Sequence, residues 1–118
     1  MKGLVIPRFG GPEVLELQRW YHARTLSADQ QKQVEYVTEL PAGADTVIGL
    51  WSISEMPVEL RDRIKALAPK YFLVAYQHNF SGIANVDYFG RWAEDKAYRW
   101  TNVEIPHIAS NFYLFGVR

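Results

Sequence analysis

The stretch from Asp45 to Tyr76, DTVIGLWSISEMPVELRDRIKALAPKYFLVAY, constrains this chain more than any other. Thr46 to Ile53 is rich in β-branched and aromatic residues and reads as a strand. Pro57 suits a helix start, Leu60, Ile64 and Leu67 mark one apolar helical face, and Pro69 stops the helix. Six consecutive apolar or aromatic residues, Tyr71 to Tyr76, then read as a strand covered on both faces. A hairpin would need only a few linking residues, so two strands joined through a helix form a right-handed parallel crossover. In such sheets ligands bind beyond the carboxyl ends of the strands. Here those ends carry Trp51-Ser52-Ile53-Ser54-Glu55-Met56-Pro57 and Tyr76-Gln77-His78-Asn79, two polar tips that predict one binding crevice.

The flanking segments extend this pattern. Gly3 to Pro7 is a short strand closed by Gly10-Gly11, and Pro12 opens a helix in which Val14, Leu17 and Tyr21, flanked by Leu15 and Trp20, follow helical spacing to about Arg24. Ser27 to Gln33 reads as a turn or short helix, and Val34 to Val37 as a brief strand. After a loop containing Gly82, Asn85 caps a helix that buries Val86, Phe89, Trp92 and Ala93. Tyr98 to Ile105 and Phe112 to Val117 then form two strands with no helix between them, an antiparallel pair closing an otherwise parallel sheet.

Composition narrows the functional classes. At 118 residues the chain is one domain, 1–118, with no repeat or linker. Thirteen basic and thirteen acidic residues cancel, leaving no field to draw in nucleic acid or an anionic membrane. With no cysteine there is no disulfide and no thiolate chemistry. The start, MKGLVIPRFGG, is too short in apolar residues for a signal peptide or membrane span, so a cytoplasmic protein is expected. His22, His78 and His107 match no short ligand spacing, and no metal site is expected.

The element order, with its closing antiparallel pair, resembles the class I S-adenosylmethionine-dependent methyltransferase fold from its second strand onward. ADTVIGLWSISEMP is similar to the fourth-strand segment of the sugar O-methyltransferase branch, PEVLELQRWYH to its helix after the second strand, and SNFYLFGVR to its last strand. The resemblance implies a truncated Rossmann-like α/β sheet, mostly parallel, with the first strand missing. It also implies S-adenosylmethionine as methyl donor and a small hydroxyl substrate such as a sugar as acceptor. Two donor contacts of the family are absent: the strand and Gly-rich turn ahead of the second strand, and the acidic residue ending that strand, where Arg8-Phe9-Gly10 stands with only Glu13 nearby. The expectation is therefore the C-terminal portion of a methyltransferase, weak or inactive alone.

Glu55 and His78 are the candidate catalytic groups, each able to take a proton from a substrate hydroxyl. Trp51, Ser52, Ser54, Gln77 and Asn79 are the candidate substrate-binding residues. Each has a plainer reading beside it. Glu55 sits where a helix dipole favours a negative charge, Ser52 and Ser54 can cap that helix, Trp51 can be core, and Gln77-His78-Asn79 can be a surface loop. A different class is the alternative: a non-catalytic assembly or regulatory domain. Loss of a central strand leaves neighbouring strand edges uncovered, which predicts a homodimer or larger.

Overall fold

The computed structural model describes residues 3–6 and 12–118, and these divide into two compact units, one of residues 10–41 and one containing the sheet. The sheet unit contains β1 (Gly3–Ile6), β2 (Thr46–Leu50), a 3₁₀ turn (Ile53–Glu55), α3 (Val58–Lys65) and β3 (Tyr71–Gln77). It continues with a two-stranded ribbon of β4 (Asn79–Phe80) and β5 (Ile83–Ala84), then α4 (Asn85–Trp92), β6 (Arg99–Glu104) and β7 (Asn111–Val117). The other unit holds α1 (Pro12–Thr25) and the single-turn α2 (Ala28–Gln31). Among the described residues no helix is long and apolar enough to cross a membrane.

The main sheet has the order β1-β2-β3-β7-β6. β1, β2 and β3 run parallel, while β7 runs antiparallel to both β3 and β6. Four strands therefore point one way and β7 alone is reversed: an α/β fold on a mixed sheet. The expected crossover from β2 through α3 to β3 and the closing antiparallel pair are both present. The expected open strand edges differ. Gly3 to Ile6 pair in parallel register with Thr46 to Gly49, so β2 is hydrogen-bonded on both sides.

The two faces of the sheet are unequal. Val47, Phe72, Val74, Tyr76 and Leu114 share one face and are fully or almost fully buried. α4 covers them, with Phe89 against Tyr76 at 4.6 Å between ring centroids and Trp92 against Phe72 at 5.2 Å. On the opposite face Ala75 is buried, but Tyr71, Leu73 and Gln77 are only half-buried. The double-sided cover expected for this strand is thus complete on one side only.

Two local expectations are corrected. Val34 to Val37 is irregular rather than a strand. Its Tyr36 is spent on α1, where its hydroxyl lies 2.5 Å from His22 Nδ1 and its ring lies 4.9 Å from the Arg19 guanidinium. Asn85 is the first residue of α4 and not its cap; Ala84 occupies the cap position, and the Asn85 side chain turns inward. Pro7 and the Gly10-Gly11 turn lie outside the described residues.

The packed face also explains a glycine. A Cβ on Gly116 would lie 2.5 Å from the Trp100 ring, because Gly116 is paired across β6 and β7 with that residue. Gly116→Ala is expected to destabilise the fold by about 1–3 kcal/mol through overpacking, read as a lowered urea midpoint.

Lys65 of α3 pairs with Asp95 just beyond α4, Nζ to Oδ2 at 2.6 Å. This hydrogen bond, helped by the Ala97 N–H, holds the Asp95 carboxyl below its ordinary range. A carboxyl depressed in the folded state stabilises above its unfolded pKa and loses that contribution as pH falls through its folded value. Lys65→Met should lower the urea midpoint near neutral pH, and the difference should vanish in strong acid.

Candidate functional site

β2 stops where Trp51 adopts φ 65°, a left-handed backbone rare for a non-glycine residue. Trp51 N–H still donates to Ala75 O at 2.8 Å, so the ladder to β3 persists to the residue where the chain swings into the 3₁₀ turn. Gly49 makes room for that swing: a Cβ there would lie 2.4 Å from the buried Ile53 side chain. The turn ends at Met56, and α3 begins directly after Pro57.

Arg61, on the first turns of α3, holds this segment in place. It is completely buried. Its Nε donates to Met56 O at 2.8 Å, Nη2 to Ser54 O at 2.6 Å and Nη1 to Asn85 Oδ1 at 2.7 Å, while its guanidinium carbon lies 5.0 Å from the Tyr88 ring centroid. One cation thus joins both carbonyls of the turn to the start of α4. Burial lowers its pKa from the ordinary arginine value, with Tyr88 and Asp62 opposing that shift.

The predicted residues divide into three groups. Ser54, Glu55 and Gln77 come together. Ser54 Oγ lies 2.5 Å from Gln77 Oε1 and 2.7 Å from Trp51 O, giving its one proton two acceptors, and Gln77 Nε2 donates to Glu55 Oε1 at a long 3.5 Å. Ser52 and Ser54 are buried, and the Trp51 indole N–H donates to Asn111 Oδ1 at 2.8 Å. These three residues build the turn, but not through their plainer readings: neither serine caps α3, whose cap position is Pro57 with no side-chain bond, and Trp51 is half-buried rather than core. His78 and Asn79 are exposed and contact each other, Nδ1 to Nδ2 at 3.2 Å, where the chain enters the β4–β5 ribbon. The His78 backbone is fixed at both ends, its N–H to Ser110 O and its carbonyl to Val86 N–H.

Three members of the cluster escape sequence reading: Arg61, Asn85 and Asn111. Arg61 lies three residues before Ile64, on the inward face of α3, and this spacing is the one signal for it. A separate groove of about 480 Å³ runs between α3 and α4, lined by Asp62, Lys65, Tyr88, Arg91, Trp92 and Asp95. Its polar groups are largely tied to one another: Tyr88 donates to Asp62 at 2.7 Å and Lys65 pairs with Asp95. Burial first, then that bond to Asp62, raises the Tyr88 pKa, so its hydroxyl stays protonated.

Comparison with known proteins gives no family-model match, no curated protein match and no solved-structure match.

Chemically, the strand tips present one carboxylate, Glu55, beside a carboxamide, Gln77, on a turn fixed from beneath by Arg61. Arg61→Met is expected to cost about 3 kcal/mol, because it leaves Met56 O and Asn85 Oδ1 without their donor and Ser54 O with only the long 3.5 Å bond from Asn85 Nδ2. Arg61→Lys should recover little of this, since one ammonium cannot span three diverging acceptors. Chemical denaturation of both variants provides the check.

Proposed function

We propose that this chain is the acceptor-side portion of an S-adenosylmethionine-dependent O-methyltransferase, acting on a small hydroxyl substrate such as a sugar. The observation that carries the reading is the junction of the β2 and β3 tips, where Ser54, Gln77 and Glu55 meet at the carboxyl ends of parallel strands. The reversed β7 beside β3 fits the closing strand pair of the resemblance.

The residue types suit hydroxyl recognition. A carboxylate accepts the hydroxyl proton, and a carboxamide both donates and accepts toward a neighbouring hydroxyl. Glu55 is the group assigned to the proton of the reacting hydroxyl, with His78 on the adjoining loop as a second candidate. Gln77 positions Glu55, while Ser54 fixes the orientation of Gln77.

The methyl donor fits the described residues poorly. Ser54 O and Met56 O are occupied by Arg61, Trp51 N–H is occupied by the β3 ladder, and the tip of β1 at residues 7–10 lies outside the described residues. No step is therefore routed through the donor, and the chain alone is assigned weak or no catalysis.

Two titrations test the reading. Calorimetry with S-adenosylmethionine should give a dissociation constant weaker than about 10 μM, or about −7 kcal/mol. In ligand-observed NMR against simple sugars and polyols, Glu55→Ala should lose binding while its melting temperature stays within a few degrees of the parent. Sugar binding unchanged by Glu55→Ala would remove Glu55 from the site, and tight donor binding would overturn the assignment of the donor contacts to residues outside this chain.

A further inference from the structure

β6 is an outer strand of the sheet, and its ladder to β7 runs unbroken from the Arg99–Val117 pair to the Glu104–Phe112 pair. In an antiparallel ladder the N–H and C=O of one residue point the same way, and successive residues alternate. Ile105 N–H donates to Asn111 O at 2.8 Å, so Val103, Thr101 and Arg99 also face β7. Trp100, Asn102 and Glu104 therefore turn both main-chain groups outward. Proteins blunt such edges with proline, lysine, a bulge or a covering side chain. The strand RWTNVE has none of the first three, and its charges stand at its two ends.

The side chains that could cover the edge are committed elsewhere. Trp100 leans inward over Gly116, its ring stacked on Phe72 at 5.9 Å between centroids and its Nε1 donating to Asp95 O at 2.9 Å. Asn102 Oδ1 accepts from the Tyr76 hydroxyl of β3 at 2.9 Å, reaching across β7. Glu104 Oε1 accepts from Ser110 N–H at 3.2 Å, in the turn between β6 and β7. All three are drawn away from the outer edge. On the opposite face Arg99, Thr101 and Val103 are exposed.

We propose that β6 pairs antiparallel with β6 of a second copy about a twofold axis through Asn102, joining two sheets into one. The strand is complementary to itself, which is what selects a second copy as the occupant. In this register Trp100 lies opposite the other copy's Glu104 and Asn102 opposite its own counterpart, so each outward N–H meets an outward C=O. A shift of two residues one way sets Trp100 against Pro106, which has no N–H. A shift the other way sets Glu104 against Tyr98, whose N–H already donates to Asp95 O. A shift of one exchanges the faces. On the exposed face Thr101 meets the other copy's Val103, a β-branched pair made twice by symmetry, and Val103, 45% exposed, leaves water. Antiparallel pairing also sets the Arg99 end of one strand beside the Glu104 end of the other, unlike charge to unlike. The contact lies within one strand of the sheet unit and uses none of Ser54, Glu55 and Gln77, so it is independent of the methyl-transfer reading.

Sedimentation velocity and hydrogen exchange on the full chain test the proposal. The parent should show a weak, concentration-dependent dimer. Where the dimer predominates, the amides of Trp100, Asn102 and Glu104 should exchange at least about 10-fold more slowly than in the dilute chain, and those of Thr101 and Val103, which already face β7, should change less. Thr101→Glu and Val103→Lys, checked for folding by circular dichroism, should each weaken the dimer by about 10-fold or more, because each homodimer places like charges diagonally across the axis. Mixed together they should re-associate, the new carboxylate of one chain lying opposite the new ammonium of the other. A parent monomeric up to about 1 mM would overturn the proposal. So would a dimer that leaves exchange at Trp100, Asn102 and Glu104 unchanged, or a mixture no more associated than its components. An edge that serves an extended peptide instead of a second copy gives the first of these results, and the exchange measurement decides on the parent alone if either variant fails to fold.

Discussion

A guanidinium buried without a carboxylate in hydrogen-bonding contact is the constraint around which the centre of the sheet unit is organised. Arg61 must find acceptors in the core, because desolvating a cation otherwise costs several kcal/mol. The chain supplies them as Ser54 O, Met56 O and Asn85 Oδ1. The need is mutual. A tight 3₁₀ turn leading straight into a helix leaves carbonyls with no regular partner, and in this buried setting each unpaired acceptor would be destabilising. Arginine suits the task because its donors diverge in a plane and reach three groups at once. Tyr88 and Phe89 then present ring faces to the same cation. The turn after β2, the start of α3 and the start of α4 are therefore one interaction.

This arrangement decides what the polar strand tips can do. WSISEMP contains three polar side chains and one indole, and most of that capacity is consumed in holding the turn: Ser52 and Ser54 are buried, and Trp51 is bonded to Asn111. Glu55 is only partly buried and lies beside Gln77. A turn that consumes its own hydroxyls while presenting a carboxylate next to a carboxamide is consistent with the proposed hydroxyl-bearing substrate. It is poorly suited to a polyanion, for which a carboxylate at the centre would be repulsive.

The sequence made the backbone of the sheet unit legible because its periodicities are strong and local. A long apolar run bounded by Pro69 identified β3, and two strands without an intervening helix identified the antiparallel pair. Reading failed where a residue's partner is distant in sequence. Val34 to Val37 has strand-forming residues but is irregular, and Tyr36 packs on α1 fourteen residues away. Asn85 has the composition of a cap, yet Arg61 recruits its carboxamide from twenty-four residues earlier. The convergence of Glu55 and Gln77 followed from parallel register, since adjacent strands end on the same side. The burial of Ser52 and Ser54 did not, because it depends on how sharply the chain turns at Trp51, and nothing local encodes that φ.

The unequal faces of the sheet have a related origin. Alternation along β3 and β7 places Phe72, Val74, Tyr76, Leu114 and Gly116 on the side that α4 covers, where aromatic rings and one glycine allow close packing. The other side carries Ile48, Leu50, Leu73, Tyr113, Phe115 and Val117, with its polar residues confined to strand ends, Thr46, Gln77 and Asn111, and to the edge strand β6, Arg99 and Thr101. A parallel-dominated sheet with this composition is built for cover on both sides.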